Sequence, residues 1–247
     1  MIRYVLFFVV ILLSNTIQGI TGFAGTILAM PFSLMLVGYG TAKPVLNVLG
    51  ILSGVYVFVG NRKHVDWREL RRVVLVMLVG ILAGIWIKGL FAGREGVLYK
   101  LLGVFIVGYS LYGLCQFFTG AKREGAEKPL GPVSSCAIMG AAGLVHGMFV
   151  CGGPLLTAYL TRKLPDKNVF RATVSTIWIV LNTIILIDDI RSGLWTAQLV
   201  GIQLISIPFF LVSMVLGTWL YKRMSQRLFT GLTYILLIIS GVSLLIK

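Results

Sequence analysis

The sequence predicts an all-α polytopic membrane protein built from two inverted repeats. Each repeat has four to five hydrophobic segments and opens with a helix hairpin broken at glycines. Three observations predict this: a large excess of apolar over charged residues, long apolar runs separated by short basic loops, and a second half that repeats landmarks of the first.

Hydrophobic residues make up 57% of the chain and charged residues 12%, with a mean hydropathy of +0.94. Soluble domains carry about 45–50% apolar and about 25% charged residues, so water could not accommodate this much apolar surface. A bilayer can, provided the backbone is satisfied internally. The 22 basic and 8 acidic residues give a net charge of +14. These cations gather in short loops between apolar runs, as in membrane proteins that orient by their basic loops, so nucleic acid is not an expected partner. Cys115, Cys136 and Cys151 form no CxxC pair and have no histidine at ligand spacing, so they read as small apolar residues within helices. Arg3 followed by an apolar run resembles a signal peptide, but the same segment opens the first repeat and is assigned to the fold.

Apolar stretches run approximately over 2–20, 26–40, 44–60, 73–92, 97–118, 132–150, 154–161, 171–187, 196–221 and 228–246. A spanning helix needs about 20 residues. The second and seventh stretches are too short, and each follows a Gly-rich break. The first break runs from Gln18 to Gly25, the second from His146 to Gly153. Aligning Gly19 with Gly147, an offset of 128, also places Lys43 on Arg171, Asn47 on Ser175 and Trp67 on Trp195. A small insertion then pairs Gly84 with Gly217 and Gly108 with Gly241. Several matches at one offset indicate duplication. The expected units are a first transmembrane repeat, 1–118, a polar linker, 119–131, and a second repeat, 132–247.

Loop charge reverses between the halves. Asn61 to Arg72 holds five cations, whereas its counterpart, Asp189 to Trp195, holds only Arg191. Thr161 to Arg171 holds four, whereas the region before Pro44 holds only Lys43. Basic loops stay in the cytoplasm, so the repeats are expected to be inverted, with the linker inside and both termini outside.

Paired helix breaks are the best sequence pointer to a transporter's binding site. Glycine lets backbone approach a ligand, and a helix starting after a break offers N–H groups and a positive dipole end to an anion. Gly22, Gly25, Gly152 and Gly153 are candidates on this ground, with Gly19 and Gly147 at the head of each break. Gly50/Gly54, Gly80/Gly84 and Gly143/Gly147 fit close helix packing instead. Asn15, Gln18, Thr21, Thr26 and His146 can donate hydrogen bonds there; a neutral, backbone-bonded His146 is the structural alternative. Arg171, Ser175, Trp178 and Asn182 share one helix face, as do Lys43, Asn47, Gly50 and Gly54. A polar stripe on an apolar span faces protein or water. The Arg171 guanidinium suits an oxyanion, or it is an ordinary loop cation. No carboxylate lies in the middle of an apolar stretch, and Asp188 and Asp189 at a helix end read as solvated. No nucleotide, metal or catalytic-triad motif is present in the sequence, so neither a cofactor nor an enzyme is expected.

In its breaks, its basic pair Lys43 and Arg171, its Asp66-Trp67 loop and its glycines Gly80 and Gly84, the sequence resembles the TauE/SafE family of sulfite exporter-like permeases over essentially its whole length. The first break is less glycine-rich than in many members. The resemblance implies export of a small sulfur-containing anion, sulfite or an organosulfonate, across a prokaryotic inner membrane by alternating access. The implied partners are the anionic substrate and the lipid bilayer, and a homodimer is compatible with it. A permease for another small anion or metabolite, and an anion channel, are the competing readings.

Overall fold

The computed structural model describes residues 2–21, 24–91, 94–119, 131–164 and 166–221, together with 235, 237–239, 241–242 and 244–246. The described chain is helical: α1 (Ile2–Thr21), α2 (Gly25–Val37), α3 (Tyr39–Asn61), a 3₁₀ turn (Arg62–His64), α4 (Trp67–Leu90), α5 (Glu95–Thr119), α6 (Pro132–Phe149), α7 (Gly153–Lys163), α8 (Lys167–Arg191) and α9 (Ala197–Tyr221). Seven of these, all but α2 and α7, are long and apolar enough to cross a membrane. At 13 and 11 residues, α2 and α7 fall short of the roughly 20 that a crossing needs.

Local chemistry sets the boundaries. The Asp66 carboxylate accepts from the N–H groups of Arg68 and Glu69 and starts α4, and Asp166 does the same for Asn168 and Val169 at α8, each taking up donors a helix start leaves unpaired. Gly38, at φ 76°, turns the chain between α2 and α3, a conformation glycine adopts without strain. Pro132 opens α6, where its missing N–H costs nothing.

Contacts give the relative directions of the helices. Tyr4 meets Gln198, the Phe8 and Phe209 rings stack 5.2 Å apart, and Gly19 packs on Gly217, so α1 runs parallel to α9. Gly143 packs on Met77 and Gly147 on Ile81, so α4 runs parallel to α6. Lys43 meets Asp189, Asn47 meets Asn182 and Gly54 meets Ser175, so α3 and α8 are antiparallel. The first helix of each half thus lies along the fourth helix of the other half. The third helices, α3 and α8, pair at the centre, with 56% of each span buried against 28% for α4. The outer faces of α4 and α9 expose Leu75, Val79, Leu82, Trp86, Leu204, Leu211, Val215 and Trp219, a lipid-facing surface for an all-α multi-pass membrane protein.

Several boundaries differ from the sequence expectation. Lys43 and Pro44 do not lie in a loop; they sit in the first turns of α3, because the chain turns at Gly38. Lys167 and Arg171 begin α8, since Asp166 caps that helix. Asp189 is not solvated: it is in the last turn of α8 and fully buried, drawn in by Lys43. Gln18, Gly19, His146 and Gly147 are still helical, so each break is shorter than expected. Gly22 and linker residues 120–130 lie outside the described residues.

Candidate functional site

The two breaks converge. Between them lies a cavity lined by Gln18, Thr26 and Ile27 from the first half's hairpin and by His146, Val150, Cys151, Gly153 and Pro154 from the second. Gly50 of α3 and Trp178 and Asn182 of α8 close it. It offers about 20 Å³ to the centre of a water-sized sphere, room for roughly one water molecule.

Each break is folded back by a side chain of the helix before it. The Gly25 N–H donates to Gln18 Oε1 at 2.7 Å, and the Gly152 N–H donates to His146 Nδ1 at 3.4 Å. Gln18 and His146 are equivalent at the 128-residue offset. A side chain at Gly25 would run into Gln18 and the Ser14 carbonyl, and one at Gly152 into His146 and the Ala142 carbonyl. These glycines are needed for close approach. With Nδ1 accepting, His146 carries its proton on Nε2 and donates to Asn182 Oδ1 at 2.7 Å, so its ring is neutral and packs at a tilt against Trp178, 4.8 Å between centroids. Val150, at φ 57° and buried, sits in the left-handed region within the second break, where a β-branched residue is strained.

Behind the cavity runs the polar stripe. Asn47 Nδ2 donates to the Asn182 carbonyl at 2.9 Å. One turn further, Lys43 pairs with Asp189, both with side chains 0% exposed. Lys88 pairs with Asp188 at 3.0 Å beside it. Ser175 is buried on the same face of α8. Arg171, at the opposite end of α8, donates from Nη2 to the Gly19 carbonyl at 3.4 Å, placing its charge at the C-terminal end of α1. The Tyr39 hydroxyl likewise serves the Met148 carbonyl at the end of α6. Asn47 Oδ1, Arg171 Nε and Asp189 Oδ2 are buried without a hydrogen-bond partner.

The cavity therefore gathers Gln18, Thr26, His146, Gly153 and Asn182, with Gly25 and Gly152 holding its rim. Lys43, Asn47, Arg171 and Ser175 stand behind it. Gly19 and Gly147 lie on the α1–α9 and α4–α6 crossings. Thr21 ends α1. Sequence reasoning read Asp189 as solvated, although it continues the Arg171 stripe: it lies 18 residues on, five full helical turns.

A family model described as "Sulfite exporter TauE/SafE" matches residues 6–244. The chain belongs to the TauE/SafE family. It is accordingly a membrane transporter and not an enzyme. It is also similar to the probable inner membrane transporter protein TsaS of Comamonas testosteroni, 28% identical over 187 residues, covering 74% of each chain. No solved structure matches. TauE/SafE membership accounts for the apolar helices, and among the described residues no group of histidine, cysteine, aspartate and glutamate could hold a metal ion.

Proposed function

We infer that this TauE/SafE transporter exports a small sulfur-containing anion, sulfite or an organosulfonate, across a prokaryotic inner membrane by alternating access. The substrate site is the cavity between the two breaks, closed here around about one water's worth of space and opened to the substrate as the halves move. The moving parts are two inverted halves, 1–118 and 132–247, joined by a cytoplasmic linker, 119–131. One observation carries this reading: a single cavity is lined by the start of α2 from one half and of α7 from the other, the placement expected for half-helix N-termini that meet an anionic substrate. The antiparallel α3–α8 pair and the exchanged α1–α9 and α4–α6 packing support inversion, since a two-fold axis in the membrane plane requires both. Arg62, Lys63, Arg68, Arg71, Arg72, Arg162, Lys163 and Arg171 fall at one end of the bundle under these directions, which supports that end as cytoplasmic. An anion leaving a cell that is negative inside gains about 2.3 kcal/mol per 100 mV, and no carboxylate lines the cavity among the described residues.

Efflux of radiolabelled sulfite from proteoliposomes under a set potential tests the reading. Saturable efflux, accelerated by an inside-negative potential, is expected. Asn182→Ala should lower it about 10- to 100-fold, the worth of one hydrogen bond to a charged group, and Arg171→Ala should lower it more than Arg171→Lys. Efflux that does not saturate would point to a channel, and efflux unchanged in Asn182→Ala would remove the cavity as the site.

A further inference from the structure

Membrane interiors hold few ionised side chains, and those they keep pair with one another or serve ion and proton pathways. Among the described residues, Lys43 and Asp189 are the only Asp, Glu, Lys or Arg side chains that are buried, and the reading of the cavity as a substrate site uses neither. They meet between α3 and α8, at the end of the bundle away from the basic loop that joins α3 to α4. The pair is not closed on itself. Asp189 Oδ1 accepts from the Lys43 ammonium, while Oδ2 is buried without a partner. A buried carboxylate oxygen that no donor serves is costly to keep. Such an atom is a ready acceptor, and a proton is the smallest ligand it can take.

The surroundings give the pair a way out and a way in. Outward, Lys88 of α4 and Asp188 of α8 pair at 3.0 Å with side chains 16% and 24% exposed, so water comes within one residue of Asp189. Inward, Asn47 lies one turn from Lys43 and donates to the Asn182 carbonyl, and the Asn182 side chain accepts from His146 in the cavity. The titratable groups facing the pair are few. They are Lys88 and Asp188, Arg191, exposed in the last turn of α8, Tyr39 in the first turn of α3, bonded to the Met148 carbonyl, and His146 of α6, neutral by its hydrogen bonds. The α2 helix, packed against α3, carries none.

Resting on the alternating-access reading above, we propose that Asp189 is a proton-binding site whose occupation unlocks this end of the bundle. A hydronium ion arriving from that face gives its proton to Asp189 Oδ2 and leaves as water, and the carboxylate becomes a neutral acid. The Lys43 ammonium is then a buried charge without a counter-ion, the state that makes a broken buried pair so unfavourable. It is relieved when α3 and α8 part and water reaches it. Asp189 returns its proton to water before the pair forms again. The shut end is thus stable while Asp189 is ionised, and it opens more readily as the pH on that face falls.

Ala42, buried beside Lys43 in the chain, can report the opening. In proteoliposomes oriented with the basic loops inside, Ala42→Cys should react several-fold faster with an impermeant maleimide when the outer solution is acidified. Labelling is read at that residue by mass spectrometry and corrected for thiol reactivity by Ser192→Cys, exposed at the same end. With the potential set and the interior buffered, so that the loaded anion keeps its charge, sulfite efflux should rise in step, by at most about tenfold per pH unit, the limit for one proton. Lys43→Met with Asp189→Leu should abolish both responses. An acid response that persists in this double variant places the proton on another group, such as His146 or Asp188, and overturns the proposal. So does Ala42→Cys labelling that acid leaves unchanged, or that responds only to acid inside. Should the double variant not fold, Asp189→Asn, which mimics the protonated acid, should label fast at neutral and acidic pH alike, and an acid response left in it is equally fatal. Acid-dependent labelling in a protein that moves no sulfite would reject sulfite as substrate and leave the proton site standing.

Discussion

At the scale of single residues, the site depends on close approaches that leave no room for substitution. The Asn182 amide nitrogen occupies the space a side chain on Gly50 would need, 2.5 Å from it. Gly50→Ala should therefore push Asn182 off His146 and cut sulfite efflux about tenfold, while Gly40→Ala, with nothing nearby, should leave efflux unchanged. Val150 offers a test of strain. Truncating a buried valine to glycine ordinarily costs about 2–4 kcal/mol, but its left-handed backbone stores about 1–3 kcal/mol that glycine would release. Val150→Gly should thus lie within about 1–2 kcal/mol of wild type in thermal unfolding, and a larger loss would show the strain is absent. The sequence marked Gln18, His146 and Asn182 because polar side chains in apolar segments demand a reason. It did not mark Val150, since nothing in a valine announces a positive φ.

At the scale of helices, two devices join the halves. Glycine crossings let α4 sit directly on α6: a side chain on Gly84 would meet the Leu144 carbonyl. Gly84→Val should cost about 1–3 kcal/mol by overpacking, against little for Gly89→Val on the same helix, where no atom lies within 4 Å. The buried Lys43–Asp189 pair fixes α3 to α8. Asp189→Asn should cost about 3–5 kcal/mol by leaving a buried ammonium uncompensated, and Lys43→Met with Asp189→Leu should recover most of it. Both are read by unfolding in detergent. The glycine spacings were visible in sequence as close-packing motifs. The ion pair was not, because pairing residues 146 positions apart requires knowing that α3 and α8 are antiparallel, and a carboxylate near a helix end ordinarily reaches water.

For the whole molecule, helix number and the duplicated hairpins were legible because hydropathy and a fixed offset act over many residues. Helix ends were less so: Asp166 and Gly38 set them by capping and turn geometry, against which an apolar window is blind. The inverted arrangement has a direct test. With Cys115 and Cys136 replaced, Lys63→Cys and Ser192→Cys, both exposed, should label from opposite faces of oriented vesicles, Lys63→Cys from the cytoplasmic face; labelling from one face would reject inversion. The central helix pair also has two unequal ends. At one, Lys43 meets Asp189; at the other, the 128-residue offset sets Asn61 against Arg171, and Asn61 turns to its own helix, bonding the Val57 carbonyl. In the alternating access proposed above, opening each end in turn would rehydrate a buried pair of charges, Lys43 and Asp189, at the first and a single charge, Arg171, at the second. Turnover should therefore be unsymmetrical in time, with long dwells shut at the Lys43 end and brief ones at the other, and the slow half-cycle should be the one that the apolar double replacement hastens.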